Sequence, residues 1–158
     1  MKTIDYIIEQ ASPADIDQLV ALEQDLFMTD KRSRKNLLYL IKRSAVFAAK
    51  TRQGGTVIGY AILLSRKNSR RSRIYALGVA STVRNRGIGS RLVATLERVA
   101  GRKDCTSLIL EVGDRNRAAV EFYNRCGFKQ FGFRYGYYED GGHAILMDKK
   151  LSAGGTRK

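Results

Sequence analysis

The chain has 158 residues and a mass of 17.7 kDa, enough for one hydrophobic core. Its 44% hydrophobic and 28% charged residues exclude disorder, and no apolar run approaches the length that spans a membrane. Lys and Arg number 29 against 15 Asp and Glu, so the net charge of +14 draws polyanions, an acidic protein surface or RNA, unless it serves solubility alone.

In chain order, Met1 to Gln10 carries Asp5 and Glu9 and no apolar h-region, so it does not read as a signal peptide and the expected compartment is the cytoplasm. Ile4 to Glu9 alternates weakly and predicts a first strand. Ser12-Pro13-Ala14-Asp15 predicts a helix start: Ser12 can cap, Pro13 suits the first helical position and Asp15 suits the positive helix end. Ile16, Leu19, Val20, Leu22 and Leu26 follow at helical spacing. Ser33 predicts the cap of a second helix carrying Leu37, Leu38, Leu40 and Ile41. Val46 to Lys50, Thr56 to Leu64 and Ile74 to Val79 predict three consecutive antiparallel strands, separated by a Gln53-Gly54-Gly55 turn and a basic connection from Arg66 to Arg73. The next helix carries Leu92, Val93, Leu96 and Val99 and ends near Gly101. Ser107 to Val112 predicts a strand, and Asn116 opens a helix that Gly127 stops. Phe128 to Tyr135 and His143 to Asp148 predict a last strand pair around the Glu139-Asp140-Gly141-Gly142 loop. Cys105 and Cys126 form neither a metal-ligand cluster nor a disulfide framework, and each reads as a small packed hydrophobe. The order β-α-α-β-β-β-α-β-α-β-β predicts an α/β (α+β) domain over residues 1–151, one mixed sheet covered by helices, with a basic, Gly-rich tail over 152–158.

One loop carries chemistry. Arg84-x-x-Gly87-x-Gly89 lies between a strand and a helix, where unpaired N–H groups and the helix dipole hold anions. The two glycines let phosphate approach the backbone, and Arg84 and Arg86 add charge-assisted bonds. No Gly-Lys-Ser or Gly-Lys-Thr is present, which excludes a nucleotide-triphosphatase loop. The preceding antiparallel strands do not match a dinucleotide fingerprint. A plain tight turn with surface arginines is the competing reading.

Together these segments resemble the GNAT acetyltransferase family, in which an Arg/Gln-x-x-Gly-x-Gly/Ala loop binds the pyrophosphate of acetyl-CoA. The resemblance implies a GNAT-like acyl-CoA N-acyltransferase fold, with a central mixed and mostly antiparallel sheet flanked by about four helices. It implies that Arg84, Asn85, Arg86, Gly87, Ile88, Gly89 and Ser90 bind the cofactor, that the strand with Leu77 and Val79 pairs with its pantetheine arm, and that no metal takes part. Leu110-Glu111-Val112-x-x-x-Asn116-x-x-Ala119-x-x-x-Tyr123-x-x-x-Gly127-Phe128 is similar to the branch of ribosomal-protein N-terminal-alanine acetyltransferases. That similarity implies Glu111 as general base, Tyr123 as general acid, and Asn116 and Ala119 with Tyr123 beside the cofactor. Arg134-Tyr135-Gly136-Tyr137-Tyr138 also resembles that branch, which implies Arg134, Tyr137 and Tyr138, with Glu111, at the acceptor site. The chain departs from the family in Ala80-Ser81-Thr82, where an Asp or His and then Pro is common, and in the basic Asp30-x-x-Ser33 region.

Acetyl transfer needs a neutral amine, a polarised thioester carbonyl and a proton for the leaving thiolate. The expected oxyanion donor is a backbone N–H near Gly78 or Val79, and Tyr135, Tyr137 and Tyr138 are expected to wall an acceptor channel. His143, the one histidine, has no expected role in the reaction. The expected acceptor is the N-terminal α-amine of a peptide or protein, ribosomal or acidic. A small amine or a protein lysine is the alternative within the enzyme class. A basic nucleic-acid module without catalysis is the alternative outside it, with Arg66, Lys67, Arg70, Arg71 and Arg73 as one patch and Lys31 to Lys35 as another. Non-specific RNA contact is expected as an accessory property, with no membrane association and a monomer or homodimer.

Overall fold

The structure is a computed structural model and describes residues 3–27 and 31–152. Asp30 and the tail from residue 153 lie outside the described residues. Seven strands form a mixed, mostly antiparallel sheet in the order β1-β2-β3-β4-β5-β7-β6, flanked by four α-helices. The strands are β1 (Tyr6–Gln10), β2 (Ala45–Thr51), β3 (Val57–Ser65), β4 (Arg71–Val79), β5 (Ser107–Gly113), β6 (Lys129–Arg134) and β7 (Ala144–Lys150). The helices are α1 (Ile16–Leu26), α2 (Arg34–Arg43), α3 (Ile88–Arg102) and α4 (Arg117–Arg125). The chain groups into two compact units: residues 1–63 with 76–94, and residues 64–75 with 95–158.

In the first unit, β1, β2 and β3 are antiparallel, with Tyr6 opposite Thr51 and Ala45 opposite Leu63. Val57 to Leu63 is buried at every position, so this strand is covered on both faces. Leu19, Leu37, Leu40, Tyr60, Ile62, Ile88 and Leu92 fill the core beside it. The helix starts where expected, with Ser12 as N-cap, Pro13 at the first position and Asp15 in the first turn, and this first turn, Pro13–Asp15, is 3-10 and leads directly into α1. Asp15 does more than face the helix dipole. It is buried, accepts the Ser12 N–H at 2.9 Å and pairs with Lys50 Nζ at 2.8 Å. Burial pulls the Lys50 ammonium down, but Asp15 and Glu9 outweigh it and raise Lys50 above the usual lysine range.

In the second unit, β4 and β5 run parallel, with Arg71 opposite Ser107 and Ile74 opposite Leu110. β7 is antiparallel to β5 and to β6. β4 begins at Arg71, within what the composition marks as a basic connection. Ser72 explains the difference. It is buried at a core position, and its Oγ lies 2.8 Å from Ser65 Oγ and 2.9 Å from Cys105 Sγ. Paired with each other, these polar groups fill a core position that a hydrophobic pattern does not reveal. Cys105 is therefore a hydrogen-bonding core residue and not simply a packed hydrophobe.

Candidate active site

In the first unit the strand-to-helix loop is built on two left-handed residues. Asn85 has φ +64° and Gly87 has φ +82°. Asn tolerates that region, and Gly adopts it freely. A Cβ on Gly87 would meet nothing within 4 Å, so the backbone angle and not crowding calls for glycine. The Gly87 carbonyl accepts the Arg91 N–H at 3.1 Å and opens α3, which leaves the N–H groups of Ile88, Gly89 and Ser90 without helical acceptors. The first turn of α3 holds no acidic residue. The loop thus fits an anion such as a pyrophosphate.

The other expected cofactor residues divide by exposure. Arg84, Asn85, Arg86, Gly87 and Ser90 are exposed, whereas the Ile88 side chain is 1% exposed and anchors the loop, leaving only its backbone for a ligand. Arg84 Nε donates to the Val79 carbonyl at 3.3 Å, which occupies one acceptor of the strand expected to pair with the pantetheine arm. Leu77 and Val79 are half-buried and alternate with the buried Ala76 and Gly78. A Cβ on Gly78 would come within 2.6 Å of Leu26 Cδ1 and 3.1 Å of Tyr60 Cε1, so β4 packs closely there.

Helix α1 carries a buried charge. Glu23 is 1% exposed. Its carboxylate accepts the Tyr60 hydroxyl, the Arg32 N–H at 2.9 Å and Arg32 Nη1 at 3.0 Å. Arg32 therefore leaves the basic patch expected over Lys31 to Lys35.

In the second unit the structure links Glu111 to Tyr137 through Arg73 and packs Tyr138 on Tyr137, and Tyr138 acts electrostatically on Tyr123. Glu111 stands on β5 with its side chain 16% exposed. Arg73 Nε donates to Glu111 Oε1 at 2.8 Å, and Arg73 Nη2 donates to the Tyr137 hydroxyl at 2.9 Å. Tyr138 packs edge-on against Tyr137 with centroids 4.9 Å apart. Tyr123 lies on α4 between Phe122 and Phe128, with ring centroids at 5.1 and 5.6 Å. Burial pushes its phenol well above the usual tyrosine range, with smaller contributions from Cys126 and Tyr138. The hydroxyl accordingly keeps its proton at neutral pH. It makes no hydrogen bond among the described residues.

Asn116 caps α4, its Oδ1 accepting the Ala119 N–H at 3.2 Å. Arg134 is exposed at the end of β6 and forms no ion pair among the described residues. Tyr135 is 83% exposed and makes ring contacts with Phe133 and His143, apart from Tyr137 and Tyr138. His143 Nδ1 accepts the Gly136 N–H at 2.8 Å and shapes this hairpin.

Arg73 is the residue that sequence reasoning missed, because it falls in a basic run. Its β-period position carries the signal: the parallel register puts Arg73 and Tyr75 on the face that Ile109 and Glu111 share. The surface patch loses this arginine as it loses Arg32.

The family model for the acetyltransferase (GNAT) family matches residues 14–128. The chain belongs to that family. The acetyltransferase is 32% identical over 146 residues to an uncharacterized N-acetyltransferase of Methanocaldococcus jannaschii, covering 91% of each chain. An N-alpha-acetyltransferase of Saccharolobus solfataricus is 29% identical over 83 residues, 52% of this chain and 50% of that one. Among solved structures, Ard1 from Thermoplasma volcanium aligns with a TM-score of 0.85 and 25% identity, over 94% of this chain and 99% of that one. The acetyltransferase uses acetyl-CoA as its acyl donor and transfers the acetyl group to an amine. Family membership sets aside the reading as a nucleic-acid module without catalysis. Among the described residues no group of three or more His, Cys, Asp or Glu can hold a metal, and no helix is long and apolar enough to cross a membrane.

Proposed function

We propose that the acceptor is the N-terminal α-amine of a peptide or protein, with Glu111 as general base and Tyr123 as general acid. The observation that carries this reading is that the Glu111 carboxylate, joined to Tyr137 through Arg73 with Tyr138 packed on Tyr137, shares the second unit with the protonated phenol of Tyr123.

An α-amine with a reference pKa near 8 costs roughly 1 unit, about 1.4 kcal/mol, to deprotonate at pH 7, whereas a lysine near 10.4 costs roughly 3 units, about 4 kcal/mol. A single half-buried carboxylate, acting directly or through water, suits the smaller task. Acetyl-CoA supplies an activated thioester carbonyl. Glu111 takes the proton that the attacking nitrogen sheds, the N–H of Gly78 or Val79 stabilises the oxyanion, and Tyr123 gives its proton to the departing thiolate. The Arg84 to Ser90 loop receives the pyrophosphate, with Leu77, Val79, Asn116 and Ala119 along the arm. The S. solfataricus relative named as an N-alpha-acetyltransferase supports the choice of amine.

The exposed Lys31, Lys35, Arg66, Lys67, Arg70 and Arg71 favour an acidic protein partner by long-range attraction. Initial rates on peptides with a free amino terminus, on the same peptides blocked there but carrying lysine, and on polyamines test the proposal. Turnover confined to the free-terminus set is expected; turnover confined to lysine peptides or polyamines would refute it.

A further inference from the structure

Arg73 differs from the exposed cations around it. Its guanidinium is held by three groups of the second unit. Nε donates to Glu111 Oε1 at 2.8 Å, Nη2 donates to the Tyr137 hydroxyl at 2.9 Å, and Cζ lies 5.4 Å from the centroid of the Tyr75 ring. The Arg73 and Glu111 side chains are 33% and 16% exposed, so solvent screens their pairing only in part. We propose that Arg73 is the positioning residue of the transfer reaction: it fixes the Glu111 carboxylate and ties it to Tyr137 on the acceptor side. The proposal rests on the reading of Glu111 as the base.

The geometry explains why an arginine stands here. A glutamate has three side-chain torsions, and an unpaired carboxylate samples several positions. The planar guanidinium presents separate nitrogens to two acceptors on one rigid fork while its face stacks on an aromatic ring; an ammonium group concentrates its donors on a single atom and has no plane to stack. The Arg73 bond engages Oε1, while Oε2 has no hydrogen-bond partner among the described residues. One oxygen is thus anchored and the other is left to accept a proton from the amine or an intervening water. Tyr137 receives its hydrogen bond on oxygen and keeps its own O–H to donate. A guanidinium that holds both groups sets the spacing between the base and the acceptor wall, and a displacement of about 1 Å at a reacting group costs on the order of 100-fold in rate.

The test is a double-mutant cycle on the full chain with Arg73→Met, Glu111→Gln and the pair, read as the single-turnover rate at saturating acetyl-CoA. Acetyl-CoA affinity and thermal melting are measured alongside. Arg73→Met is expected to slow the chemical step by about 10- to 100-fold with acetyl-CoA affinity unchanged. In the Glu111→Gln background the same change is expected to slow it by less than about 3-fold, because the group being positioned is already gone. Arg73→Lys is expected to restore the rate only in part and carries the same cycle if the methionine variant does not fold. Equal slowing in both backgrounds would overturn the proposal while leaving Glu111 as the base. A Glu111→Gln rate equal to the parent's would overturn the base, and the positioning role with it.

Discussion

Replacing Tyr123 with Phe separates chemistry from packing. The ring is 8% exposed and packs edge-on against Phe122 and Phe128, contacts that phenylalanine keeps. The hydroxyl makes no hydrogen bond among the described residues, so no buried partner is orphaned and the folding cost should stay within about 0.5 kcal/mol. The single-turnover rate should fall by about 100- to 10,000-fold, roughly 3–5 kcal/mol in the barrier, if the phenol protonates the thiolate. Quenched-flow acetylation with enzyme in excess reads that step, and calorimetry should show acetyl-CoA affinity unchanged. The raised phenol adds a signature at high pH. Below about pH 10 the phenol is protonated in both folded and unfolded chains, and its contribution to stability is fully present. As pH rises beyond that value the unfolded parent ionises first and the parent loses stability, whereas the variant has no phenol to ionise and keeps its own. Melting curves should therefore move in favour of the Phe variant at high pH. An unchanged single-turnover rate would refute the role of Tyr123.

Glu111→Gln should slow transfer to an α-amine most at neutral pH, and the defect should shrink above about pH 8 as the amine loses its proton unaided; a pH–rate profile checks this. Gly87→Ala should cost about 1–2 kcal/mol in thermal or denaturant unfolding, since φ +82° penalises any Cβ, and Gly87→Asn should cost less. Gly78→Ala should lose about 1–3 kcal/mol by forcing a methyl group against Leu26 and the buried Tyr60 ring. Glu23→Ala should lose about 3–5 kcal/mol by leaving Arg32 without its buried carboxylate, measured by denaturant titration.

The element order was legible in the sequence because Leu19, Leu22, Leu92 and Leu96 repeat at helical spacing and Asn116 and Ser33 announce caps that form. The strand-to-helix loop was legible because Gly87 serves the left-handed backbone, which sequence displays directly. What stayed hidden depends on pairing across the fold. Ser72 reads as polar and therefore exposed until Ser65 and Cys105 are seen to bond it. Arg73 reads as one more surface charge until Glu111 meets it from the adjacent strand. Arg32 likewise belongs to a charge run in sequence and to a buried carboxylate in space. Charge runs report composition, and only the partner decides which cation turns inward.

The central claim is transfer to an amino-terminal amine, and one peptide tests it most directly. A short acidic peptide carrying both a free α-amine and an internal lysine is acetylated under initial-rate conditions, and fragmentation mass spectrometry locates the acetyl group. The account predicts that the acetyl group appears on the α-amine first and that Glu111→Gln slows this transfer at neutral pH. Acetylation of the lysine while the amino terminus stays free would contradict it.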